Sequence, residues 1–94
     1  MAPMPEADEL QAAIAALWVD ARPRLLARVE ALEAESDPAR ALIHAHTLAG
    51  TLGSFGLADA SAAARSAERA LEAGDRDAFT AAVAELRAAT SEPR

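Results

Sequence analysis

Alanine fills about three of every ten positions in this 94-residue chain, while aromatic residues make up only 3% and tyrosine is absent. No other feature narrows the fold as much. Alanine has the best intrinsic helix propensity, and its single methyl lets helix axes approach closely. At this length there is room for one core and not for two. The expected fold class is therefore all-α, a single bundle of closely packed helices. Lysine does not occur, all nine basic residues are arginine, and the formal charge is −6. That acidic excess argues against binding a phosphate backbone, so no nucleic-acid partner is expected. The absence of cysteine removes disulfides, thiolate zinc sites and cysteine nucleophiles. No run approaches the ~20 apolar residues a membrane-spanning helix needs, so no membrane partner is expected. The opening Met1 to Glu9 has two prolines, three acids and no base, unlike a secretory leader, and the expected compartment is the cytoplasm.

Helical spacing divides the chain. Met1 to Pro5 reads as a disordered lead, residues 6–90 as one domain, and residues 91–94 as a tail fraying from about Thr90. Leu10, Ile14, Leu17 and Trp18 recur at helical spacing behind the acids Glu6, Asp8 and Glu9. Pro23 is out of place in a helix interior. Two arrangements satisfy it: a second helix starting nearby with Asp20 as its cap, or one long kinked helix. Leu25, Val29 and Leu32 then mark a buried stripe, with Leu26 beside it and Glu30, Glu33 and Glu35 facing water. Ser36-Asp37-Pro38 is a helix start, with a capping residue followed by proline at the first helical position. That helix runs into the mid-50s. Another spans Leu57 to Ala73, with Leu57, Ala60, Ala64, Ala67 and Leu71 inward and Gly74 closing it. Asp75 caps the last, which carries Phe79, Ala82, Val83 and Leu86. Short loops imply antiparallel neighbours, so the simplest architecture is an up-down-up-down four-helix bundle with an additional N-terminal helical segment. One complete core is expected to remain a monomer.

One stretch departs from plain bundle-making. On a helix at ~100° per residue, Ala41, Ala45, Leu48, Leu52 and Phe55 form a core stripe, and His46 falls ~140° from its middle. His46 should therefore reach solvent, with Leu42, Ala49, Gly50 and Gly53 as its surface neighbours. A helical glycine sacrifices roughly 0.5–1 kcal/mol relative to alanine. Close approach of another backbone or protein is the physical reason to keep glycine there. Leu42 and Ile43, one turn earlier, add exposed aliphatic surface suited to docking. Metal binding by His44 and His46 is excluded, because residues two apart point ~200° from each other on a helix. His44 should pack near the core edge beside Leu48 and Phe55. An imidazole with no surrounding triad reads as a carrier nucleophile rather than a hydrolase.

The segment resembles the signature of histidine-containing phosphotransfer (HPt) domains. The residues that carry the likeness are His46, Leu48, Gly50, Phe55 and Gly56, with Ala49 where the family usually has lysine. The helical plan, the Asp20 to Pro23 junction and the Gly74-Asp75 break also look like this family, over roughly residues 8 to 90. The resemblance implies a four-helix bundle in which His46 takes a phosphoryl group from a receiver aspartyl phosphate or a (hybrid) histidine kinase. It would then pass the group to another receiver aspartate. It also implies no cofactor on this chain, Mg²⁺ being held by the partner receiver domain. Leu42, Ile43, Ala49, Gly50 and Gly53 would form the receiver docking face. Ungapped alignment from His46 places Glu68 where chemotaxis-kinase phosphotransfer domains have a glutamate on the histidine ring, with Arg65 one turn earlier. Arg65 or Arg69 would stand in for the missing lysine.

Two other readings belong to different classes. One is an adaptor that docks on a receiver or kinase with weak or no transfer, favoured by Ala49. The other is a plain helical bundle that homodimerises through alanine-rich faces.

Overall fold

The computed structural model describes residues 7–91. The expected lead at Met1 to Pro5, and residues 92–94 of the expected tail, lie outside the described residues. Four helices follow in order: α1 (Ala7–Ala34), α2 (Pro38–Ser54), α3 (Ala58–Ala73) and α4 (Arg76–Ser91). Each packs on its sequence neighbours, and α4 closes the ring on α1.

The junctions follow local chemistry. Asp37 has extended backbone angles (φ −86°, ψ 115°), and its carboxylate accepts from the Ala39 N–H at 3.0 Å. Pro38 fills the first helical position, where no N–H is required. Gly74 closes α3 in the left-handed region at φ 68°, where the Asp75 N–H donates back to the Ala70 carbonyl at 2.9 Å. The Asp75 carboxylate then accepts from the Ala78 N–H at 3.0 Å and caps α4.

Pairs across the seams give the directions. Trp18 meets Phe55 while Arg28 meets His44, so α1 and α2 run antiparallel. His46 meets Glu68 while the Ser61 hydroxyl donates to the Ala49 carbonyl, so α2 and α3 do likewise. Arg22 donates to the Ser91 carbonyl while Arg87 pairs with Glu33 and Glu30, which sets α4 against α1.

The core is built from Trp18, Leu25, Val29, Leu32, Leu48, Leu52, Val83 and Leu86, closed by small residues. Helix α3 contributes only alanine and one serine to the buried set: Ala60, Ser61, Ala63, Ala64, Ala67 and Ala70. Those methyls let α3 sit close against both neighbours. The high alanine content thus has a packing role as well as a propensity role.

Three expectations change. First, the two segments on either side of Pro23 are one helix, so there is no separate N-terminal helical segment and Asp20 is not a cap. Pro23 is exposed, so its ring faces water, and burial of Trp18, Ala21, Leu25, Val29 and Leu32 carries the helix across the missing hydrogen bond. Second, Leu10, Ile14 and Leu17 are 52%, 39% and 62% exposed, and of the expected first stripe only Trp18 enters the core. Helix α1 has 28 residues, about 42 Å, against 16 or 17 residues and about 25 Å for the others. Its first turns overrun the bundle. Third, Thr90 does not fray. It is fully buried, and α4 continues to Ser91.

Candidate functional site

His46 lies in the middle of α2, and its side chain is 80% exposed. The core stripe of α2 forms as the spacing requires, with Ala41, Ala45, Leu48 and Leu52 buried. That stripe turns the imidazole outward. The neighbouring α3 brings Glu68 to it: Nδ1 of His46 lies 3.2 Å from Oε2 of Glu68, whose side chain is only 19% exposed. A carboxylate can only accept, so Nδ1 carries a hydrogen, and in the neutral ring the lone pair then falls on Nε2. The orientation of the ring and its tautomer are fixed by one contact.

Around His46 the two glycines play different parts. A Cβ at Gly50 would meet nothing within 4 Å. The fold has no internal need for glycine there, and the exposed surface it leaves is flat. A Cβ at Gly53 would lie 3.3 Å from the Ser61 hydroxyl oxygen. That hydroxyl is held at 2.8 Å by the Ala49 carbonyl. Gly53 is exposed, but its lack of a side chain lets α3 approach α2. Ile43 is 63% exposed and Leu42 half-buried, so both contribute to the outer surface beside Gly50.

Ala49 does not belong to an exposed docking patch. It is 4% exposed and faces α3, because it sits on the same side of α2 as the Ser61 contact. A long side chain at this position would start inside the α2–α3 seam. Arg65 is exposed one turn before Glu68 and makes no hydrogen bond or ion pair among the described residues. Arg69 donates to the Ser66 hydroxyl at 3.0 Å.

His44 does more than pack at the core edge. It is half-buried, and its Nδ1 lies 3.1 Å from Nη1 of Arg28 on α1. A guanidinium can only donate, so this nitrogen accepts and the His44 hydrogen sits on Nε2. His44 is engaged with α1 and His46 with α3, on opposite sides of the helix. Sequence reasoning missed Arg28 and Ser61. Ser61 had a weak signal, as the one hydroxyl in an otherwise apolar run from Ala60 to Ala64.

Among the described residues no group of three or more histidines, cysteines, aspartates or glutamates is placed to hold a metal ion. No helix among them is long and apolar enough to cross a membrane.

The family model described as Hpt domain matches residues 4–92, nearly the whole chain. No curated protein and no solved structure matches it significantly. Hpt domains serve histidine phosphotransfer in phosphorelays, and they interact with receiver domains and histidine kinases. With residues 4–92 matched, the chain belongs to the Hpt domain family.

Proposed function

We propose that His46 is the residue that carries the phosphoryl group, taking it from a receiver aspartyl phosphate or a histidine kinase and passing it to a receiver aspartate. The single observation behind this reading is the 3.2 Å contact from Nδ1 to Glu68, which leaves Nε2 as the outward lone pair. In the forward step Nε2 attacks phosphorus. A P–N bond forms, the P–O bond to the aspartate breaks, and the electron pair leaves on the carboxylate. The ring becomes positively charged while Nδ1 keeps its proton, and Glu68 stabilises that charge. Transfer onward is the reverse of this step on a second receiver. This chain supplies the nucleophile and the docking face, and the receiver supplies the acidic cluster and its Mg²⁺.

Leu42, Ile43 and Gly50 form the docking surface in this reading. Gly53 supports it from behind by holding α3 close. Arg65 lies exposed one turn before Glu68 on α3, without the Ser66 hydrogen bond that engages Arg69, and it takes the electrostatic part that Ala49 cannot. The competing reading is an adaptor that binds receivers without efficient transfer, and the buried methyl of Ala49 is the observation that favours it.

Incubation with phosphorylated receivers separates the two. The relay gives acid-labile, base-stable label on wild type and none on His46→Gln. Equal labelling of His46→Gln overturns the assignment. Receiver binding without any label, unchanged in His46→Gln, supports the adaptor.

A further inference from the structure

The contact between His46 and Glu68 depends on where α3 lies along α2, and most of the seam does little to fix that position. Apart from Ser61, the residues that α3 buries are all alanine: Ala60, Ala63, Ala64, Ala67 and Ala70. Apolar contact is non-directional. A row of equal methyls therefore tolerates a small slide or rotation of the helix that carries it.

Ser61 breaks that uniformity. It is 3% exposed, and its hydroxyl donates to the Ala49 carbonyl on α2 at 2.8 Å. A hydrogen bond is directional, and sliding α3 would strand a buried hydroxyl without its partner. Gly53 makes room for it, since a Cβ there would lie 3.3 Å from the Ser61 hydroxyl oxygen. The hydroxyl thus sits in a notch of α2, over Gly53 and against the Ala49 carbonyl.

This peg shares a stripe of α3 with Glu68. The two residues are seven apart, ~20° short of two full turns and about 10.5 Å along the axis. On α2, Ala49 follows His46 by three residues, and the helices run antiparallel, so the two contacts lie in one line along the seam. The His46 contact is at 3.2 Å, the long end of the range of about 2.7–3.2 Å for such bonds, and has little slack. The Glu68 side chain is 19% exposed, which limits its freedom to follow a shifted helix.

We infer that Ser61 is a positioning residue for His46. Its bond to the Ala49 carbonyl sets the height of α3 on α2, and through that height it holds the Glu68 carboxylate on Nδ1. The consequence for transfer rests on the reading of His46 as the phosphoryl carrier, whereas the positioning itself does not.

Heteronuclear NMR of the full chain, at a pH where the His46 ring is neutral, reads which ring nitrogen carries the hydrogen. Wild type is held as Nδ1–H. Ser61→Ala shifts the tautomer ratio about fivefold toward Nε2–H, the factor that goes with one typical net hydrogen bond. Gly53→Ala, which presses on the hydroxyl from the α2 side, shifts it in the same direction. Ala63→Gly removes a buried methyl ~200° around α3 from Ser61, and lowers the melting temperature with the ratio unchanged. On a Glu68→Ala background, adding Ser61→Ala moves the ratio no further, because Ser61 acts through Glu68. The inference is overturned by a wild-type ratio in Ser61→Ala, by an equal shift in Ala63→Gly, or by a further shift on the Glu68→Ala background. None of these measurements needs a receiver. A wild type that takes no label from phosphorylated receivers overturns the carrier reading and leaves this inference standing, while an unmoved ratio in a chain that does take label overturns this inference alone.

Discussion

Replacing Glu68 tests the chemistry at its most specific point. Phosphorylation of Nε2 turns a neutral imidazole into a cation, and the carboxylate lies 3.2 Å from Nδ1. Coulomb's law puts that attraction at about 1.3 kcal/mol at the permittivity of water and about 5 kcal/mol at an effective value near 20. The His46 side chain is 80% exposed and that of Glu68 19%, so the value lies close to the aqueous end. A loss of about 1.4 kcal/mol is a tenfold change in rate. Glu68→Gln keeps an acceptor for Nδ1 and removes the charge, and should slow transfer from a phosphorylated receiver about tenfold with phosphate still on Nε2. Glu68→Ala also frees the tautomer, so a fraction of the product should appear on Nδ1. Rapid-quench transfer kinetics measure the rate, and heteronuclear NMR of the phosphorylated domain assigns the nitrogen. Wild-type rates with a single Nε2 isomer in both variants would refute the role given to Glu68.

Other substitutions probe the surface and the scaffold. Gly50→Leu should leave melting unchanged or raise stability by up to about 1 kcal/mol, since its Cβ meets nothing within 4 Å, while weakening receiver binding tenfold or more. Calorimetry and titration against a receiver give both numbers, and an unfolded variant would place Gly50 inside the packing. Gly53→Ala should destabilise by about 1 kcal/mol despite better helix propensity, because the new methyl presses on a Ser61 hydroxyl that the Ala49 carbonyl holds. Adding Ser61→Ala should remove most of that penalty, and a double-mutant cycle with additive costs would rule out the contact. Pro23→Ala should stabilise the fold by about 1–3 kcal/mol in denaturant titrations, because it restores an N–H inside a continuous helix and the ring touches solvent. A destabilised Pro23→Ala would mean that the proline shapes α1 in a way the bundle needs.

Much of the site was legible from spacing alone. The core stripe of α2, the outward direction of His46 and the caps at Asp37, Gly74 and Asp75 are local consequences of helical period and turn chemistry. Glu68 was reached by resemblance rather than by periodicity. Its distance to His46 depends on how two helices pack, which no single helix encodes. Gly50 and Gly53 looked equivalent in sequence. One faces open space and the other faces a serine from α3, and that distinction belongs to the seam. Ala49 was read as surface for the same reason. It lies on the flank of α2 where the exposed arc ends and α3 begins, and only the position of α3 says which side of that edge it falls on.

The N-terminal half divides the same way. Sequence alone determined that residues up to Trp18 carry apolar side chains at helical spacing and that three aromatics and 52% hydrophobic residues suffice for one core, and it left Pro23 either at the start of a second helix or inside one long kinked helix. Tertiary structure decided that the helix continues through Pro23 and that Leu10, Ile14 and Leu17 stay uncovered. Periodicity reports which face of a helix is apolar, whereas burial depends on whether another helix reaches that level. Here α2 and α4 stop opposite Trp18 and Arg22, so the same stripe is core on one side of that level and open surface on the other.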